Sequence, residues 1–219
     1  WRERSDPETK MLERWVRNHI VEDWEHSDII GAGYASPKDW KPSKKGEDEW
    51  GCVWKEAMDG KTMGAVREHP LSSWDKLKTY RFPNPYLDER FQNAKKLIST
   101  WGKNKYITGG LGITLFNHLQ FLRGDSIFLV DLYKNREKAA ELADRLMGFY
   151  LGIIDMWASL GVDGVMAADD FGTQQGLFMY PKLWREFFKP RYWKLIEKAH
   201  SHGMHFFLHS CGYIYDIIG

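Results

Sequence analysis

This 219-residue sequence has few cysteines, no long apolar run and almost no excess of charge of either sign. The two cysteines, Cys52 and Cys211, lie far apart and provide no disulfide framework. No stretch approaches the roughly 18 apolar residues of a membrane span, and the opening residues WRERSDPETK do not resemble a signal peptide. The charges of the 31 basic and 30 acidic residues almost cancel, so we expect no strong electrostatic field that would attract nucleic acid or an anionic membrane. These absences predict a reduced, cytoplasmic protein.

Apolar residues are plentiful by comparison. They make up 43% of the chain and include 11 tryptophans, which predicts a large core. The sequence begins at Trp1 without an initiator methionine and stops at Gly219, where a new helix is expected to start. We therefore expect it to be a piece of a longer protein.

Helix and strand patterns alternate along most of the chain. Apolar residues at helical spacing, with capping residues, predict helices over residues 7–25, 88–101, 114–123, 135–160, 181–189 and 191–202. Short apolar runs predict strands over residues 28–32, 105–108, 162–168 and 204–208. Gly109-Gly110-Leu111-Gly112 lacks the spacing of a phosphate-binding loop and predicts a tight turn between strand and helix.

This alternation predicts an α/β protein with a parallel sheet and right-handed crossovers. A closed (β/α)8 barrel of the TIM type needs eight units over about 250 residues, so this chain supplies about half of one. Residues 49–56 and 63–68 predict an antiparallel hairpin around the turn dipeptide Asp59-Gly60. We expect one partial barrel domain over residues 1–219, with the hairpin inserted at about 47–70.

Polar residues follow the last two predicted strands, where each strand ends. Asp169-Asp170 comes after the first, and His209-Ser210-Cys211-Gly212 closes the second. Alternate residues of a strand share a face, so His209 and Cys211 are expected on one side, about 7 Å apart along the backbone. An imidazole beside a thiolate suits zinc, which needs three or four ligands. A buried strand end, with cysteine as a small apolar residue, is the alternative.

Several of these segments resemble the uroporphyrinogen decarboxylase superfamily, which includes cobalamin-dependent methyltransferases. The resemblance rests on Gly161-Val162-Asp163-Gly164 with Asp169-Asp170, on Phe187 to Tyr192, and on His209-Ser210-Cys211-Gly212. It extends to Gly110-Leu111-Gly112-Ile113-Thr114-Leu115 and Leu122-Arg123-Gly124, and more weakly to Asp48-Glu49-Trp50-Gly51 and His69-Pro70-Leu71. It covers about half of the chain and implies a (β/α)8 barrel in which the strands near 105, 163 and 205 are the third, fourth and fifth.

Two features favour the methyltransferase branch within this resemblance. The amino-terminal arginine and aspartate segment of true decarboxylases is not found in the sequence, and His118 aligns with the tyrosine that follows their third strand. The His-x-Cys-Gly turn is similar to that of zinc-dependent methyltransferases, which implies that a full-length parent binds zinc at His209 and Cys211 with a distant cysteine beyond Gly219. It also implies a corrinoid methyl carrier on a partner protein, or a small-molecule methyl donor or acceptor. By the same resemblance, this chain alone is expected to bind zinc weakly or not at all.

The resemblance also suggests roles for four further residues. Asp170 and His118 are candidate catalytic residues, and Asp169 and Gln174 are candidate substrate-binding residues. Asp169 and Asp170 point to opposite faces of an extended segment, so they do not form a facing acid–base pair. We expect one of them to bond the loop backbone and the other to face the mouth of the barrel. A core or surface position is the alternative for His118.

Three classes of function are consistent with the sequence. The first is corrinoid- and zinc-dependent methyl transfer, the second is decarboxylation of uroporphyrinogen, and the third is a non-catalytic remnant or binding module. A half-barrel leaves strand edges and apolar faces without partners, so we also expect a homo-oligomer or another polypeptide to cover them.

Overall fold

The computed structural model describes residues 27–55 and 64–218. Its strands are β1 (Ile29–Ala32), β2 (Val53–Lys55), β3 (Ala65–Glu68), β4 (Tyr106–Ile113), β5 (Gly164–Ala168) and β6 (His205–His209). Its α-helices are α1 (Gln92–Trp101), α2 (Leu115–Arg123), α3 (Asp125–Lys134), α4 (Arg136–Ser159), α5 (Pro181–Phe187) and α6 (Lys189–Ser201). Short 3-10 helices cover Trp74–Lys78, Asp88–Phe91 and Tyr215–Ile217. The helix predicted over residues 7–25 lies outside the described residues.

The four main strands form one parallel sheet in the order β1, β4, β5, β6. This confirms the parallel α/β architecture and all four predicted strands. Over the described residues the sheet is open and not a closed barrel, with β1 and β6 each paired on one side only. That a second copy or another polypeptide covers these edges stays a prediction. No helix among the described residues combines the length and apolarity needed to cross a bilayer.

The predicted hairpin is present as the antiparallel pair β2 and β3, and its turn at Asp59-Gly60 lies outside the described residues. Asp48 shapes the segment that leads into this hairpin, because its carboxylate accepts hydrogen bonds from the backbone N–H groups of Trp50 (3.0 Å) and Cys52 (2.9 Å). The next residue, Glu49, forms a buried two-pronged ion pair with Arg90 at 2.6 and 2.9 Å. Asp48 and Glu49, which carry part of the resemblance, therefore have structural contacts: Asp48 shapes the segment before the hairpin, and Glu49 connects that segment to Arg90.

The turn predicted at residues 109–112 is wrong, because β4 continues to Ile113. Gly109 and Gly110 pair with Val165 and Met166 of β5, and a bulge lies between Gly110 and Gly112. The long helix α4 explains the glycine: a Cβ at Gly109 would lie 2.4 Å from the Trp157 ring. Close packing of helix on sheet, and not a turn, requires glycine here.

One helix of the structure, α3, has no counterpart among the predicted elements. Gly124 at φ 104° joins it directly to the end of α2. Pro190 breaks the predicted helix, as expected, and stands in the first turn of α6, where proline is tolerated. The predicted helix over residues 135–160 is confirmed as α4, with the side chains of Leu142, Leu146 and Ile153 fully buried in the core.

Candidate metal centre

The side chains of Asp170, His209 and Cys211 converge at the carboxyl end of the sheet. One potential ligand atom from each residue lies within 4.8 Å of those of the other two. His209 Nε2 is 3.2 Å from Cys211 Sγ, so the pair shares one side of the chain as strand alternation predicts. Among the described residues this is the group of His, Cys, Asp and Glu side chains close enough to hold a metal ion.

Parallel pairing of β5 with β6 brings the three residues together. Ala168 lies opposite His209 in the register, and the N–H of Asp169 donates to the His209 carbonyl at 2.9 Å. The chains then diverge into loops, across which the Cys211 N–H donates to Asp170 Oδ1 at 2.7 Å. The carboxyl ends of two neighbouring strands therefore supply all three donors, as expected for a parallel sheet.

The loops that follow β5 and β6 are in direct backbone contact. A Cβ on Gly212 would lie 2.1 Å from the Gly172 carbonyl oxygen, and Gly212 has φ +79°. The N–H of Tyr213 donates to the Thr173 carbonyl at 2.7 Å. Gly212 is thus required by the approach of two backbones, which holds the Cys211 loop against the Asp170 loop.

The donor set fits zinc. A tetrahedral zinc ion with nitrogen and sulfur ligands separates these two atoms by about 3.5 Å, close to the 3.2 Å between His209 Nε2 and Cys211 Sγ. Nitrogen, sulfur and carboxylate oxygen are the donors found at zinc sites, and Asp170 supplies the oxygen. Hydrogen bonding and charge from Asp170 raise the pKa of the Cys211 thiol, so ligation would release its proton.

The structure places Asp169, the predicted substrate-binding residue, inside the protein. Its carboxylate accepts the backbone N–H groups of Phe116 and Asn117, both at 2.8 Å, and the hydroxyl of Tyr192. It therefore caps the amino terminus of α2 from another element. Burial raises the pKa of Asp169 to about 7, against the opposing effect of these hydrogen bonds. Asp169 thus bonds the backbone while Asp170 lies at the mouth of the sheet, which is the arrangement that the sequence predicts.

The structure places His118, the predicted catalytic residue, in the core, which is the alternative position that the sequence allowed. Its Nδ1 lies 2.6 Å from the Tyr150 hydroxyl, which itself donates to the Ile113 carbonyl at 2.7 Å. Because that hydroxyl proton is committed, His118 Nδ1 must carry the proton of its own bond. Burial lowers the pKa of His118 to about 3. The Trp50 ring packs against the imidazole, with 4.2 Å between the ring centroids. His118 is thus a neutral member of the core.

Gln174 lies at an exposed turn in the loop after β5. The turn is closed by Thr173, whose backbone N–H donates to the Gly176 carbonyl at 2.7 Å. The Thr173 carbonyl contacts Tyr213, so Gln174 is on the same end of the sheet as the metal cluster. Its role in substrate binding stays a prediction.

Asn117 is a site residue that sequence reasoning missed. It lies in the first turn of α2, and its Oδ1 accepts the N–H of Asp170 at 2.7 Å. An asparagine in the first turn of a helix is common for local reasons, so no pattern distinguishes one that bonds to a loop more than 50 residues away.

Comparison with known proteins gives a fold but no family. No family profile and no curated protein sequence matches the chain. Among solved structures, a methyltransferase from Methanosarcina mazei is similar, with a TM-score of 0.61 and 20% identity over 77% of this chain. The match covers 49% of that protein, so the chain spans about half of its length. At this identity the likeness supports the fold alone.

Proposed function

We propose that this chain is part of a methyl-transfer enzyme whose Asp170, His209 and Cys211 bind zinc. The observation that carries the proposal is the convergence of oxygen, nitrogen and sulfur donors within 4.8 Å at the carboxyl ends of β5 and β6. The fold likeness to a methyltransferase supports it, as does the resemblance to the cobalamin-dependent branch of the uroporphyrinogen decarboxylase superfamily. Asp170 supplies a third donor from this chain, where the resemblance implies a distant cysteine.

Exposure of the cluster is consistent with a site that meets a second molecule. Cys211 and His209 are exposed and Asp170 is half-buried, so the cluster lies at the surface at the mouth of the sheet. Three protein donors leave one position open on a four-coordinate ion, which is the pattern of catalytic zinc sites. A zinc ion held there would lower the pKa of a substrate thiol that occupies this position.

The reaction we propose is transfer of a methyl group from a corrinoid carried by a partner protein to a small thiol. The thiol loses its proton, its sulfur forms a bond to the methyl carbon, and the electrons of the cobalt–carbon bond stay with the corrinoid. A small-molecule methyl donor in place of the corrinoid protein would use the same residues. His209, Cys211 and Asp170 hold the acceptor side, and the interlocked loops keep them together.

Metal binding to matched cysteine variants tests the proposal. We expect the 219-residue chain to bind one zinc ion, measured by competition with a chromogenic chelator, and to show a thiolate-to-metal absorption band with cobalt. Cys211→Ala should abolish both signals and His209→Ala should weaken them without unfolding the protein. Cys52→Ala is the control, because Cys52 is buried and its thiol donates to the Phe121 carbonyl.

An activity assay completes the test. Loss of methylcobalamin absorbance in the presence of a small thiol should depend on zinc and on Cys211, and it should survive Cys52→Ala. Stoichiometric zinc that persists in Cys211→Ala would exclude the site and, with it, the proposed methyl transfer.

A further inference from the structure

Two hydrogen-bonding arrangements of opposite direction join the loop after β5 to the first turn of α2. The Asp169 carboxylate accepts the N–H groups of Phe116 and Asn117, which have no acceptor within their own helix. In return, Asn117 Oδ1 accepts the N–H of Asp170 at 2.7 Å. The peptide between Asp169 and Asp170 is therefore held on both sides by one turn of helix.

The Asn117 amide is itself oriented by a neighbour. Its Nδ2 donates to Gln120 Oε1 at 2.9 Å, and Gln120 lies three residues later on the same helix face, where it is buried. With the amide nitrogen directed at Gln120, the amide oxygen is directed at the Asp170 N–H. The opposite orientation would place an NH₂ group against an N–H donor, which is unfavourable.

The same sequence of contacts continues from Asp170 to the metal cluster. Asp170 Oδ1 accepts the Cys211 N–H at 2.7 Å, so hydrogen bonds lead from Gln120 through Asn117 and Asp170 to Cys211. We infer that Asn117 is a positioning residue that sets the Asp170 carboxylate against Cys211 and His209. α2 thereby orients a donor of the cluster although no residue of α2 belongs to it.

The consequence for metal binding rests on the proposed function. Partners that orient metal ligands typically change metal affinity by roughly 10–100-fold when they are removed. We therefore expect Asn117→Ala to weaken cobalt and zinc binding by about tenfold or more. Asn135→Ala is the matched control, because Asn135 donates a side-chain hydrogen bond of 2.6 Å to Asp131, between α3 and α4 and outside the cluster.

Amide hydrogen exchange in the metal-free chain tests the positioning itself. In Asn117→Ala the Asp170 N–H loses its acceptor, and the Cys211 N–H should exchange about five- to tenfold faster because the Asp170 carboxylate is no longer held. Asn135→Ala should leave both amides unchanged. If Asn117→Ala does not fold, Asn117→Leu makes the same comparison, because leucine keeps a similar side-chain volume and removes the amide oxygen that accepts the Asp170 N–H.

The two measurements separate the two claims. A wild-type chain that binds no cobalt would contradict the zinc proposal, while the exchange rates would still decide the role of Asn117. Unchanged protection of the Cys211 amide in Asn117→Ala would overturn the positioning role, as would cobalt affinity within twofold of that of a cobalt-binding wild type.

Discussion

The backbone N–H of Cys211 donates to Oδ1 of Asp170 at 2.7 Å, across the gap between the loops that follow β5 and β6. This bond joins residues that are 41 positions apart in the chain, and it places a carboxylate beside the Cys211 thiol and the His209 imidazole.

Asp170→Asn should weaken zinc binding while preserving the structure. The amide oxygen can still accept the Cys211 N–H, but it is a neutral and poorer ligand than a carboxylate. We expect a loss of affinity of at least about tenfold, measured by isothermal titration calorimetry. Asp125→Asn, at an exposed position in the first turn of α3, changes the net charge equally and should leave the affinity unchanged. Equal affinities of the two variants would remove Asp170 from the site.

Gly212→Ala should destabilise the loop that carries Cys211. An added Cβ would lie 2.1 Å from a backbone oxygen of Gly172, and φ is +79°. The positive φ alone costs about 1–2 kcal/mol, and the overlap adds to it, so we expect a lower melting temperature and lost metal binding. Gly176→Ala is the control in the neighbouring loop, because a Cβ there meets no atom within 4 Å. Normal metal binding by Gly212→Ala would show that the loop contact is dispensable.

His118→Gln should change the pH dependence of stability. Burial lowers the pKa of His118 to about 3, so between its unfolded value of 6.5 and about 3 the unfolded chain binds more protons than the folded chain. The free energy of unfolding should therefore fall as the pH falls through this window, by at most about 1.4 kcal/mol per pH unit from this residue. Glutamine does not titrate, so the variant should lack this contribution.

The measurement for His118 is a difference between two proteins. Burial raises the pKa of Asp169 to about 7, so Asp169 contributes stability that is lost as the pH rises from 3.8 towards 7. This contribution opposes that of His118 and is present in both proteins. Urea unfolding of wild type and His118→Gln from pH 4.5 to 7.5 isolates the histidine, and parallel curves would contradict its burial as a neutral ring.

Arg90→Met should destabilise the protein strongly. The Arg90 guanidinium is buried, pairs with Glu49 at 2.6 Å, and also donates to the Asn84 and Ala35 carbonyls. Removing one partner of a buried pair costs about 3–5 kcal/mol, because a charge is left without its counterion. Lys95→Met breaks the exposed pair with Asp88, and exposed pairs contribute about 0–1 kcal/mol. Chemical denaturation of both variants measures the contrast, and similar losses would refute it.

Elements with strong local patterns were predictable from the sequence. The 24-residue helix α4 carries a continuous apolar stripe, and the parallel strands around it are short apolar runs that end in polar residues. Helices and strands of this kind are determined by periodicity within a few residues, and alternation along a strand was enough to place His209 and Cys211 on one side. Gly109 of β4 was misassigned to a turn, because its role is to admit the Trp157 ring from α4.

Roles that depend on burial could not be read from the chain. His118 and Asp169 are reactive residue types near the ends of strands, yet their partners are Tyr150, Tyr192 and the backbone of α2, all more than 20 positions away. Whether a side chain faces the mouth of the sheet or the core depends on which elements pack above it. No local sequence pattern indicates which way such a side chain faces. This difference in direction distinguishes the buried Asp169 from its neighbour Asp170.

By itself the sequence determined the parallel α/β alternation, the inserted hairpin and the pairing of an imidazole with a thiol, because each arises from spacings of a few residues. Only the tertiary structure decided that Asp170 is the third donor of the cluster and that Asn117 holds it, since both depend on contacts between residues 41 and 53 positions apart. Such contacts exist only after β5, β6 and α2 have packed together, when backbone groups that the helix and loop leave unpaired find their partners on other elements.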